Sequence, residues 1–207
     1  MKPVYSIKRS ERPDWDEVPA ATLRHTGWLE ASDVTAKARV CLVGDDLWVR
    51  MEAGESPIRA TVTMPLDPVC ADSCVEFFLS PWADDPRYFN FEWNPLGTLN
   101  LGFGGQRPAR VRQIVKNAEE VFAPRPFFTE DGWGITFRIP ASFLRIYDPR
   151  FRFGGEMRGN FYKCGDLTEV PHYLAWAPLD CRTPDYHRQQ DFGVLRFEND
   201  GRVSRGE

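Results

Sequence analysis

No apolar stretch in the 207-residue chain approaches the roughly 20 residues that cross a bilayer as a helix, and Met1 to Pro19 is polar and charged, without the apolar run of a signal peptide. The expectation from the sequence as written is a cytoplasmic protein; export would require a different start. Positive charge is also in short supply. Lys and Arg number 26 against 30 Asp and Glu, a formal net charge of -4, so no global field draws phosphate backbones or anionic lipid. Nucleic acid and membrane are therefore not expected partners. The one basic cluster, Arg107, Arg110, Arg112 and Lys116, runs straight into Glu119 and Glu120 and reads as a solvated face without a function of its own.

Metal-ligand and disulfide spacings are missing as well. Cys41, Cys70, Cys74, Cys164 and Cys181 form an odd set with no CxxC, which suits reduced thiols; in an exported form, spacing permits Cys70 with Cys74 or Cys164 with Cys181. His25, His172 and His187 show no ligand spacing, and Cys164 lacks the context of an activated nucleophile. There is no repeat, low-complexity tract or linker, and the charged tail from Asn199 to Glu207 is expected to fray. A chain of this size forms one core, so residues 1–207 are read as a single domain.

What the chain does contain is short apolar runs between turn residues. Seven Trp and fifteen Phe are interleaved with 17 Pro and 16 Gly, the texture of many strands joined by turns rather than of a helical bundle. Ala38 to Ala53 reads as a hairpin about Gly44-Asp45-Asp46, with Leu47, Val49 and Met51 on one face and Trp48, Arg50 and Glu52 on the other. The same alternation sets Val75, Phe77 and Leu79 against Cys74, Glu76 and Phe78, and Phe89, Phe91 and Trp93 against Tyr88, Asn90 and Glu92. Trp133, Ile135, Phe137 and Ile139 form an apolar row that Pro140 ends, and Arg158, Asn160 and Tyr162 share a face opposite Phe161. The clearest helix candidate is short, Pro140 to Tyr147, opened by Pro at its first position and stopped by Asp148-Pro149.

The polar groups opposite these apolar rows, Glu76, Asn90, Glu92, Arg138, Arg158, Asn160 and Tyr162, have two readings. Singly, each is an ordinary solvated outer face of a half-buried sheet. As a group beside aromatics, some of them can line a concave face whose carboxylate, amide and guanidinium groups bond hydroxyls.

An ordered series of segments carries a resemblance: PDWDEVP from Pro13, DDLWVRM from Asp45, DSCVEFFLSP from Asp72, YFNFEWNPLGTLN from Tyr88, GWGITFRIP from Gly132, RGNFYKC from Arg158, LAWAP from Leu174 and DFGVLRF from Asp191. Together they resemble family 9 carbohydrate-binding modules, particularly the free-standing family 9-like proteins, over nearly the whole chain. The resemblance implies an all-β, jelly-roll-like antiparallel sandwich, a structural calcium ion or two, and a sugar site without hydrolytic chemistry. Members of the family sandwich a sugar between two tryptophans. The first falls here on Val69, so that ring is missing; the second falls on Tyr186. The polar positions after the VE motif fall near Asn90 and Glu92, and Asn160 is similar to an Asn of the later strand.

The ligand-binding set expected from these readings is Tyr186, Asn90, Glu92, Arg158, Asn160 and Trp176. A ring covers the C–H face of a pyranose while amides, guanidinium and carboxylates bond its hydroxyl rim. Tyr186 lies in the loop-like TPDYHRQQ, where exposure is expected, and is the preferred stacking ring. Trp176 either stacks a sugar near the rim or faces inward, and Trp93, in phase with Phe89 and Phe91, is assigned to the core. Asp72 and Glu76 are the calcium candidates, with Asp84 and Asp85 as alternatives better explained as turn caps.

Three functions remain in play: non-catalytic carbohydrate binding, which leads; a glycoside-acting enzyme using Glu76 and Glu92 as paired carboxylates; and an interaction scaffold that has kept the fold and lost the site.

Overall fold

The computed structural model describes residues 1–26, 28–29 and 33–198; the tail from Asn199 lies outside them. The strands in chain order are β1 (Val4–Ser10), β2 (Ala21–Leu23), β3 (Thr35–Val43), β4 (Asp46–Gly54), β5 (Cys74–Ser80), β6 (Tyr88–Trp93), β7 (Leu99–Gly104), β8 (Val111–Gln113), β9 (Arg125–Thr129), β10 (Gly132–Pro140), β11 (Glu156–Gly165), β12 (His172–Ala175) and β13 (Gly193–Phe197). Two short helices, α1 (Ala118–Phe122) and α2 (Ala141–Leu144), interrupt them.

The strands form two layers. One runs β8-β7-β6-β5-β11-β13 with β12 also on β11; the other runs β3-β4-β10-β9 with β2 on β3. β1 joins the layers, because Val4 to Ile7 pair with β13 and Lys8 to Ser10 pair with β3. Both of its pairings are parallel, which corrects the expectation of a wholly antiparallel sandwich: the sheet is mixed wherever β1 takes part. The expected single helix is real but shorter than Pro140 to Tyr147, with Pro140 as its N-cap, and α1 is a second one.

Alternation builds the core as anticipated. Leu47, Val49 and Met51 of β4 meet Ile139, Phe137 and Ile135 of β10, and β5 and β6 supply Val75, Phe77, Leu79, Phe89, Phe91 and Trp93 from the facing layer. The hairpin turns at Gly44, whose φ of +58° is cheap only for a residue without Cβ.

One polar cluster pins the layers together. Lys163, fully buried, points inward from β11 and places Nζ 2.9 Å from Glu55 Oε1, 2.6 Å from His172 Nε2 and 2.8 Å from the Cys164 carbonyl. Glu55, just past β4, also accepts from Trp133 Nε1 at 2.6 Å and from Ser73 Oγ at 3.0 Å. Burial and the neighbouring ammonium push His172 below the usual imidazole range, so its neutral ring accepts from Lys163 while Nδ1 lies 2.8 Å from the Val170 carbonyl.

The outer face of the first layer departs from the solvated surface expected of a half-buried sheet. Every residue of β5 and β6 is buried. Loops before β5 and after β12 fold over this face and form a second apolar cluster, in which Val69, Tyr186 and Phe192 cover Cys74, Phe78, Tyr88, Tyr162 and Cys164. The polar residues in phase with them are thereby drawn into the interior, except where the covering loops part.

Candidate functional site

Where the loops part, a cleft of about 110 Å³ opens onto β5, β6 and β11. Glu76 and Glu92 lie directly opposite each other on β5 and β6 and both reach the cleft, with Cys164 beside them. Trp28, Tyr173 and Tyr186 supply aromatic wall, and Cys70, Arg107, Asp166, Asp185 and His187 complete the rim. A wider depression of about 540 Å³ near Thr63, Leu96 and Glu119 has only Trp93 as an aromatic, and Trp93 is buried.

The two carboxylates are held differently. Glu92 accepts from Asn90 Nδ2 at 2.6 Å and from Asn100 Nδ2 at 2.7 Å, both neutral amides. Glu76 accepts from the Cys164 thiol at 3.0 Å. Burial first, and for Glu76 the neighbouring Glu92 charge next, lift both carboxyls above the ordinary carboxylate range. The thiols beside them are pushed up as well: burial brings Cys74 to about 12, and Cys164 is raised by its bond with Cys74 and by burial. His187 is driven the other way, down to about 3, by burial and by Arg110 and Arg107, and shares a 3.0 Å hydrogen bond with the Tyr88 hydroxyl.

Tyr186 reaches the cleft but is not the open platform expected of its loop. Its ring stacks on Tyr162 at 4.0 Å and 9°, its hydroxyl donates to the Lys163 carbonyl at 3.0 Å, and the residue is only 9% exposed. One face is thus occupied by protein. The half-buried ring is Trp28, 5.5 Å from Tyr186 and 5.6 Å from Tyr173, with Nε1 anchored on the Cys181 carbonyl at 3.0 Å.

The remaining expected ligand residues separate. Asn90 lies over Gly102, where a Cβ would collide with its amide; it donates to Glu92 and accepts from Arg110, so it positions the site from behind. Asn160 is fully buried and spent on the Ala177 backbone, accepting from N at 2.8 Å and donating to O at 3.1 Å. Arg158 donates to the Phe192 carbonyl at 2.9 Å, away from the cleft. Trp176 takes the inward alternative, packing between the layers on Phe161 and Tyr5.

The two calcium candidates, Asp72 and Glu76, are engaged with separate sets of groups. Asp72 accepts from Thr61 N, Thr61 Oγ1, Val62 N and Asn94 Nδ2 at 2.7 to 3.0 Å and faces Arg59 at 3.4 Å, which occupies its oxygens with donors. Glu76 meets a different set of groups in the cleft. Asp85 serves the turn, accepting from the Arg87 amide and guanidinium. All five cysteines are free thiols.

Sequence reasoning missed Trp28, Tyr173, Asp166, Asp185 and Arg107. The basic cluster assigned no function in fact splits: Arg107 reaches the cleft rim against Asp185, and Arg110 lies over Tyr88 at 4.1 Å.

The profile described as carbohydrate-binding family 9 matches residues 13–197. The chain belongs to carbohydrate-binding family 9. Solved structures share the fold. A candidate carbohydrate-binding protein from Bacteroides uniformis ATCC 8492 is 25% identical, with a TM-score of 0.84 over 96% of this chain and 100% of its own. Family 9 modules from Caldicellulosiruptor kristjanssonii, one in complex with cellotriose and one with glucose, are 12% and 13% identical, with TM-scores of 0.66 and 0.67, each over 99% of this chain and 100% of their own. A search of curated proteins returned no match. Membership of family 9 places the chain among non-catalytic carbohydrate-binding modules.

Proposed function

We propose that the cleft beside Glu76 and Glu92 is the sugar site of this family 9 protein. The observation that carries the reading is the meeting of the half-buried Trp28 ring with Tyr173, two buried carboxylates and the Arg107–Asp185 pair in one concavity. A pyranose needs that pairing of an apolar face with hydroxyl-bonding groups. The cleft is smaller than the ~300–1,000 Å³ of ordinary ligand pockets, so it takes part of one ring and leaves the rest in water.

The reading is of binding without turnover. Glu76 and Glu92 stand side by side on neighbouring strands of one sheet, whereas glycosidic carboxylates flank the scissile bond from two sides. Burial, moreover, disfavours the ionised form of both, and a nucleophile or base has to be ionised. The Cys164 thiol that donates to Glu76 must be reduced to do so, which suits a reducing compartment.

At about 0.3–0.5 kcal/mol per heavy atom, a monosaccharide of about a dozen such atoms binds with Kd on the order of 0.04–2 mM. Calorimetric or NMR titration against a broad sugar panel tests the proposal. Saturable binding that Trp28→Ala weakens about 10-fold and Trp28→Phe largely preserves is the expected result; silence across the panel overturns it.

A further inference from the structure

We propose that the cleft selects an amino sugar, with the ligand's ammonium seated between Glu76 and Glu92; this rests on the carbohydrate-binding reading above. The argument is one of missing counter-charge. Glu76 is 3% exposed and lines the cleft, and the one side-chain hydrogen bond it makes among the described residues is from the Cys164 thiol to Oε1, which leaves Oε2 without a protein donor there. Glu92 is satisfied by two amides that carry no charge. Neither carboxylate forms an ion pair within the described residues, although a buried carboxylate without a cation costs several kcal/mol.

The surrounding guanidiniums attract the pair from a distance, Arg107 acting on Glu76 and Arg110 and Arg112 on Glu92, but none forms an ion pair with it among the described residues. Arg107 reaches the rim but is paired with Asp185. Arg110 is spent on the carbonyls of Gly104 and Tyr88 and on Asn90, and Arg112 on the Leu66 carbonyl. Asp166 adds a further negative group, giving four carboxylates to one guanidinium around the cleft. Burial keeps the thiols of Cys70, Cys74 and Cys164 protonated, His187 is neutral, and the Tyr173 hydroxyl is held up to about 12.

In the free protein a proton relieves the crowded pair; a ligand ammonium replaces it, donating to both carboxylates next to the Trp28 ring, whose face also attracts a cation. A neutral hexose has only hydroxyls to offer there. Binding of the cation releases a proton, so its affinity rises with pH through the raised carboxyl range, while that of a neutral hexose does not follow this course.

The test is calorimetric titration of the full chain with glucosamine, glucose and N-acetylglucosamine at pH 5.5 and 7, in low and high salt. Glucosamine is expected to bind at least about 10-fold tighter than the other two at pH 7, with the advantage shrinking at pH 5.5 and at high salt. Glu76→Gln and Glu92→Gln, checked for native secondary structure by circular dichroism, should bring the glucosamine-to-glucose ratio towards one. Equal affinities in the native protein, or a preference that survives both substitutions, overturn the amino-sugar assignment and leave sugar binding standing. Failure of every sugar in the wider panel overturns both.

Discussion

Replacing Lys163 with Met examines the pin between the layers. The side chain is fully buried, and its ammonium contacts Glu55, His172 and the Cys164 carbonyl. Met fills similar volume without charge, leaving Glu55 buried with only Trp133 and Ser73 as donors. Breaking one side of a buried pair costs about 3–5 kcal/mol. With an unfolding entropy of about 2.1 cal/mol/K per residue, the 207-residue chain has roughly 0.43 kcal/mol/K, so the melting midpoint should fall about 7–12 °C. Urea denaturation and scanning calorimetry measure this directly. Adding Glu55→Gln removes the stranded charge, and the double variant should recover about 1–3 kcal/mol relative to the sum of the singles. A Lys163→Met protein within about 1 kcal/mol of the parent, or strictly additive singles, would refute the claim that this cluster holds the layers by paired charge.

Two further outcomes follow from the carboxylates. Burial alone would raise the Asp72 carboxyl, but donors from Val62, Thr61 and Asn94 overcome it and hold it below the ordinary range. Its contribution is therefore present above the unfolded Asp pKa near 3.9 and fades as pH falls through the lower folded value. Asp72→Asn should cost about 1.5–3 kcal/mol at pH 7 by chemical denaturation, with the gap to the parent narrowing in acid; a pH-independent gap contradicts the assignment. Glu76 has the opposite sign, since its folded carboxyl is raised: its favourable share is intact below about pH 4.3 and is lost as pH climbs through the folded value. Glu76→Gln should accordingly melt above the parent at pH 7–8 and approach it near pH 4, and the reverse order would count against a buried, proton-favouring Glu76.

The layers were legible because period-2 alternation reports which face of a strand meets apolar partners: β4 obeys it along its length and β10 around Thr136 and Arg138. In β6 both faces are buried, and only the alternate residues Phe89, Phe91 and Trp93 join the core between the layers. Alternation is silent on what covers the second face. Asn160 and Tyr162 share a side with Glu76's neighbours in the ladder, yet a loop backbone at Ala177 claims Asn160 and Phe192 claims Arg158, and such long-range contacts leave no local trace. Glu76 and Glu92 were found because two carboxylates in phase on adjacent strands stand out among aromatic neighbours. Trp28 was missed for the converse reason: it lies beyond β2, outside any alternating run, and gains meaning only when Tyr173 and Tyr186 arrive beside it.

The way β1 clasps β13 before crossing to β3 has a bearing on how the protein is made. Because Val4 pairs with Val194, about 190 residues along the chain, the seam between β1 and β13 forms only once β13 is available, and loop entropy makes that long-range step slow. Until that step an open edge runs along Val194 and Leu195, and the two layers are linked through β1 only after it.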